Sequence, residues 1–236
     1  MFEREHHRNV ALVLQSLEPE VLAQRHCLFG GGAMDVRYGE YRESIDIEFL
    51  VSDLASYREL RQMLGGVDGL APLVRPGMKL ELAREVRTDQ YGIRTHVRCA
   101  GSIIKFEILL EARIALAAPE EDDRICGVRT LSALDLSAEK LLANADRWAD
   151  DSVFSRDLID LAMQGADAKD LQAACVKAEG PYGTSVRRCV GEAVESLRRR
   201  PHRLGECMKA LAMRTVSKAQ LWQRIRRVEK VLAMEP

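Results

Sequence analysis

"FGGGAMDVRYGEYRESIDIEFL", residues 29–50, decides how the rest of the chain is read. Gly31 and Gly32 follow an apolar run and precede a short helical stretch. Small residues in such a turn let backbone N–H groups come close to phosphate oxygens, and a following helix adds its own N-terminal donors. Downstream, Asp46 and Glu48 alternate with Ile45, Ile47 and Phe49. Residues i and i+2 of a strand share a face, so the acids are expected on one side and the three apolar residues in a core. Two carboxylates on one face repel each other unless a cation lies between them. Mg²⁺ (or Mn²⁺) suits that place, because it takes oxygen ligands and lets substrate phosphates complete its shell. An amphipathic surface strand with two solvated acids is the plain alternative.

Outward from this stretch, the apolar spacing of Val10, Leu12, Val13, Leu14 and Leu17, then Val21 and Leu22, predicts a helix over about 5–24, with Pro19 starting a second, short one. Residues 26–29 read as a strand, Met34–Tyr38 as a helix and 45–51 as a strand. Ser52 or Asp53 can cap a helix that runs to Met63 and ends at Gly65-Gly66. Two turn signals, Gln90-Tyr91-Gly92 and Ala100-Gly101-Ser102, divide a β-meander that ends in strand 103–110. In that last strand Lys105 and Glu107 share a face opposite Phe106 and Ile108, so Glu107 is a candidate third acid; an edge strand with a polar face is the alternative. A further strand is expected around 125–131, and the acidic run Glu120–Asp123 reads as a solvated loop.

Beyond residue 131 the pattern is helical, with breaks near Asp150-Asp151, Gly165, Gly180–Gly183, Pro201 and Thr215. At about 100° per residue, Lys140, Asn144 and Arg147 fall on one stripe beside an apolar face of Leu141, Leu142, Ala145 and Trp148. That is a cationic edge along a buried face; an ordinary amphipathic helix with solvated Lys and Arg is the alternative. Asp157 and Asp160, three residues apart on the next helix, can pair with Lys140 or Arg147. The fold class is α+β: a small mixed sheet with helices over 1–132, then an all-helical domain over 133–236.

Bulk numbers narrow the function classes. The 236 residues are 47% hydrophobic and 30% charged, with a net charge of -1, so the chain is globular and lacks a global basic field for nucleic acid. The N-terminus, MFEREHHRNV, is too polar for a secretory signal, and no apolar run spans a bilayer. The six scattered cysteines form no C-x-x-C pair and are expected as free, mostly buried thiols in a reducing cytoplasm. His6-His7 reads as a polar helix start. Arg198-Arg199-Arg200, Arg203, Arg224, Arg226, Arg227 and Lys230 read either as a solvated basic face or as a phosphate-contacting surface.

The motif Gly31-Gly32 followed by Asp46-Ile47-Glu48-Phe49 resembles the nucleotidyltransferase toxins of the AbiEii/AbiGii type, within the DNA polymerase β-like nucleotidyltransferase superfamily. "LSAEKLLANADRWADDSVFSRDLIDLAM", residues 136–163, resembles the second motif of the same family. Two departures stand out: Ala33 follows the glycine pair where the family has Thr or Ser, and Glu48 takes the place of a second Asp. The resemblance implies Asp46, Glu48 and Glu107 as metal ligands, and these three with Lys140 and Asp157 as catalytic residues. Gly31, Gly32, Arg42, Ser44, Lys140 and Arg147 are the implied nucleotide-binding residues. The implied reaction moves a nucleoside monophosphate from an NTP to an acceptor hydroxyl of tRNA or another RNA. The implied biological role is that of a toxin with a co-encoded antitoxin partner, in a toxin–antitoxin or phage-defence system. A nucleotidyltransferase fold that binds a nucleotide or a protein partner without transferring anything is the alternative.

Overall fold

The computed structural model describes residues 2–234. The chain divides into two compact units: residues 1–37 with 44–132, and residues 38–43 with 133–236.

The first unit holds α1 (Glu5–Ser16), α2 (Pro19–Ala23), β1 (Leu28–Phe29), α3 (Ala33–Arg37), β2 (Asp46–Val51), α4 (Leu54–Leu64), β3 (Glu81–Thr88), β4 (Gly92–Cys99), β5 (Ser102–Leu110) and a two-stranded ribbon, β6 (Arg124–Ile125) with β7 (Val128–Arg129). Five strands form one sheet in the order β1-β2-β5-β4-β3. Only β2 and β5 run parallel, and the connection between them carries α4 and the β3–β4 hairpin. Asp53 caps α4 by accepting a bond from the Ser56 N–H at 2.7 Å, as its position before the helix predicts. Asp89 accepts from the Tyr91 and Gly92 N–H groups and fixes the β3–β4 turn. Ala100 and Gly101, at φ +46° and +81°, are both left-handed in the next turn, and at the second of them glycine carries no steric cost.

One face of the sheet is the core. Ile47, Phe49, Ile93, Val97, Ile104, Phe106 and Ile108 are fully buried there, and α1 and α4 pack on the sheet. The rings of Phe29, Phe49 and Phe106 follow one another across β1, β2 and β5 at 5.7 and 5.6 Å between centroids. Ile45 does not join this core. It is 59% exposed because β2 begins one residue later, at Asp46. β5 is a central strand, which removes the edge-strand explanation of its polar residues. The single strand expected near 125–131 is instead the β6–β7 ribbon, turned by Cys126 and Gly127 at positive φ. In the acidic run, Asp123 is not solvated: it is buried and ion-paired with Arg37 at 2.6 Å.

The second unit holds α5 (Ala133–Arg147), α6 (Arg156–Gln164), α7 (Ala168–Tyr182), α8 (Ser185–Arg199), α9 (Arg203–Ala210) and α10 (Lys218–Leu232). α5 packs on α6, α7 and α8, and α10 packs on the same three helices. Gly165 ends α6 at φ +69°. Gly180-Pro181 does not break α7, which continues to Tyr182. Proline disfavours a helical residue before it partly through that residue's Cβ, and Gly180 has none; Gly183, at φ +58°, makes the stop. Among the described residues no helix is long and apolar enough to cross a membrane.

Candidate active site

In the first unit the glycine loop lies directly on β2. The Gly30 N–H donates to the Glu48 carbonyl at 2.7 Å, and the Ala33 N–H closes the turn on the Gly30 carbonyl at 2.8 Å. None of these glycines has a positive φ. Close approach, rather than backbone conformation, is what requires them. A Cβ on Gly31 would stand 2.9 Å from Glu48 Oε1. One on Gly32 would stand 3.0 Å from the Asp46 carbonyl, 3.2 Å from Ser44 Oγ and 3.3 Å from the Phe29 ring. The Gly31 and Gly32 N–H groups make no hydrogen bond among the described residues, so they remain available as donors. α3 is only five residues long and adds little dipole to them.

Asp46 and Glu48 share one face of β2, both half-buried, opposite the fully buried Ile47 and Phe49. Parallel pairing sets Lys105 of β5 beside Asp46 and Glu107 beside Glu48. Glu107 is buried and already neutralised: Lys105 Nζ lies 2.6 Å from one carboxylate oxygen and Arg94 Nε 3.2 Å from the other. Asp46 makes no ion pair among the described residues.

His7, which the sequence suggests is a polar helix start, is fully buried. Its Nε2 accepts the Ser44 N–H at 3.0 Å and lies 3.4 Å from Asp35 Oδ2. It therefore holds the chain two residues before Asp46, against the glycine loop. No sequence signal marks this role, because the two residues are 37 apart.

No group of three or more His, Cys, Asp and Glu is arranged to hold a metal among the described residues, so an all-protein cage is not what this face offers. Mg²⁺ needs no such cage; one or two carboxylates with substrate phosphates suffice. Asp46 and Glu48, half-buried oxygen donors beside uncommitted glycine N–H groups, fit that description.

In the second unit the predicted residues come together as a buried ion cluster. Lys140 Nζ lies 2.6 Å from Asp160 and 3.3 Å from Asp157. Arg147 clasps Asp157 through Nε and Nη2 at 2.7 and 2.9 Å. Arg42 clasps Asp160 in the same two-pronged way at 2.7 and 2.9 Å, and the Tyr41 hydroxyl donates to it at 2.7 Å. Burial pushes both carboxyls up, but the charges of Arg42 and Lys140 hold Asp160 far below the usual range, and those of Lys140 and Arg147 hold Asp157 below it. Lys140 and Asn144 are 7% and 3% exposed, so that part of the stripe on α5 is buried, whereas Arg147 at its end is partly exposed. The basic C-terminal helices are also less free than their sequence suggests: Arg198 and Arg199 pair with Glu195, and Arg200 and Arg203 with Asp151.

No curated protein matches the chain. The family model for the nucleotidyl transferase AbiEii toxin of type IV toxin–antitoxin systems matches residues 12–228. That match begins inside α1 and ends inside α10, taking in both units and every residue of the two motifs; the chain belongs to the AbiEii nucleotidyl transferase toxin family.

Proposed function

We propose that the protein transfers a nucleoside monophosphate from an NTP to an acceptor hydroxyl, releasing pyrophosphate. The observation that carries this is the closeness of the glycine loop to β2: a Cβ on Gly31 would stand 2.9 Å from Glu48 Oε1, so N–H donors suited to phosphate lie near carboxylate oxygens suited to a metal. Asp46 and Glu48 would hold Mg²⁺ (or Mn²⁺). When bound, such an ion neutralises phosphate charge and makes a hydroxyl a better nucleophile at neutral pH. The chain's own contribution is positioning: Gly31 and Gly32 offer N–H donors to phosphate oxygens, and Ser44, anchored by His7, sets the start of β2. Glu107 is the proposed third ligand or base, a role open to it once Lys105 and Arg94 turn to another anion. Lys140, Asp157, Arg42 and Arg147 act first on one another, so their proposed part in catalysis runs through the integrity of the helical unit. The proposed acceptor is tRNA or another RNA, and the proposed partner is a co-encoded antitoxin.

The test is incubation with total bacterial tRNA, Mg²⁺ and each α-³²P-labelled NTP in turn. The wild type is expected to label RNA. Asp46→Asn should lose more than the roughly 10–100-fold that removing a residue behind a metal ligand costs. Transfer by Asp46→Asn at the wild-type rate would sink the mechanism. Ala33, which offers no hydroxyl to phosphate, and the neutralised Glu107 favour a second reading, in which the fold binds nucleotide and transfers nothing. It predicts NTP binding with no pyrophosphate released for any acceptor.

A further inference from the structure

The face of the sheet that carries Asp46 and Glu48 continues across β5, β4 and β3, and its register orders the side chains in two cross-strand rows. Asp46, Lys105, His96 and Arg84 form one row; Glu48, Glu107, Arg94 and Arg87 form the next. Each row begins with a carboxylate on β2 and ends with an arginine on β3.

One feature of these rows opposes stability. Arg87 lies directly opposite Arg94, and like charges in cross-strand pairs are unfavourable. Arg84 and Arg87 are exposed and make no ion pair among the described residues. They are also three residues apart, so a regular strand would send them to opposite faces. The ladder of β3 is irregular between Leu82 and Arg84 and again between Arg84 and Arg87. Those irregularities bring both guanidinium groups to the polar face, which is how bulges re-aim side chains beside functional sites. Protection of an exposed edge by charge would explain arginines on β3. It does not explain His96 on β4, an interior strand, and although Arg94 and Lys105 pair with Glu107, two cations for one carboxylate leave positive charge on the face.

We propose that this face is a binding track for the phosphodiester backbone of a nucleic-acid acceptor strand, with Arg84 and Arg87 as its outer contacts and Lys105 and Arg94 as its inner ones. The inference rests on the proposed transfer reaction. Length selects the ligand: three strand spacings, about 14 Å, separate the acids on β2 from the arginines on β3. That is beyond the reach of one triphosphate, whereas a polynucleotide supplies phosphates along the whole distance. No Phe, Tyr or Trp stands in either row, which favours contact to the backbone over stacking of bases.

The test compares the full chain with Arg84→Ala/Arg87→Ala and Arg84→Glu/Arg87→Glu, using transfer of α-³²P-NMP into total bacterial tRNA. The KM for tRNA is expected to rise at least tenfold in the charge-reversed variant, with the KM for NTP unchanged. The salt dependence of tRNA binding should fall by about 2 in slope, near 1 per lost phosphate contact. Arg84→Lys/Arg87→Lys should restore most of the affinity, which a folding defect would not permit. Arg198→Ala/Arg199→Ala, on the ion-paired α8 surface, should behave as the wild type. An unchanged tRNA KM and slope in the charge-reversed variant, or a rise in the NTP KM in its place, overturns the track. Failure of the wild type to label any RNA overturns the transfer reading itself, a separate result.

Discussion

Gly31 and Gly32 share a loop but meet different neighbours, and substitution should separate them. The Cβ of Gly31→Ala meets the end of a flexible side chain, Glu48 Oε1, at 2.9 Å. Glu48 can swing aside, so the melting temperature should barely move while Mn²⁺ affinity and transfer both fall. The Cβ of Gly32→Ala meets the Asp46 carbonyl at 3.0 Å, and the buried Ile47 beside it keeps that backbone from yielding. Gly32→Ala should therefore lose stability as well as activity; thermal melts alongside Mn²⁺ titrations of both variants check the contrast. Equal melting temperatures for the two would show that β2 gives way more easily than its packing implies.

At the scale of elements, α5 and α6 meet through charges as well as through leucines. Removing one partner of a buried ion pair leaves the other uncompensated and costs about 3–5 kcal/mol. Asp160→Asn, which strands Arg42 and weakens the hold on Lys140, should lose stability on that scale in urea. Its pH dependence follows from the lowered carboxyls. The stability that Asp157 and Asp160 contribute is complete above the unfolded carboxylate range, about 4, and is lost as pH falls below it toward the folded values. The wild type should thus show a steep loss of stability below pH 4 that is shallower in Asp160→Asn, measured as urea midpoints against pH. In β5, Phe106→Ala removes the ring next to Phe49 and should cost about 3–5 kcal/mol.

These elements also show what the sequence reveals. The alternation of Ile47 and Phe49 with Asp46 and Glu48 is local, and local periodicity is enough to orient β2 and to put Glu107 on the polar face of β5. The i, i+3 spacing of Asp157 and Asp160 likewise announced their pairing with Lys140 and Arg147. What stayed hidden depends on neighbours distant in sequence: the burial of His7 against Ser44, the capture of Arg42 by Asp160, and the neutralisation of Glu107 by a residue on β4. Periodicity cannot report which strand lies beside β5, and so cannot report that Arg94 reaches it.

At the scale of the whole molecule, thiol chemistry gives a simple check on both units. Cys27, Cys175, Cys189 and Cys207 are buried, whereas Cys99 and Cys126 are partly exposed. Burial pushes the Cys27 thiol far up and Cys175 up to about 11. A disulfide reagent at pH 8 should find at most two thiols quickly in the folded protein and six in urea. Rapid reaction of more than two without denaturant would contradict the packing. The passage of residues 38–43 into the helical unit has a consequence for synthesis. Arg42 precedes its partner Asp160 by 118 residues. At about 5–20 residues per second, the ribosome exposes that guanidinium for roughly 6–24 s before the carboxylate that captures it exists. A gene fragment beginning at residue 133 would never supply it. The helical unit is written in two places in the message, and it can close only after nearly everything between them has been translated.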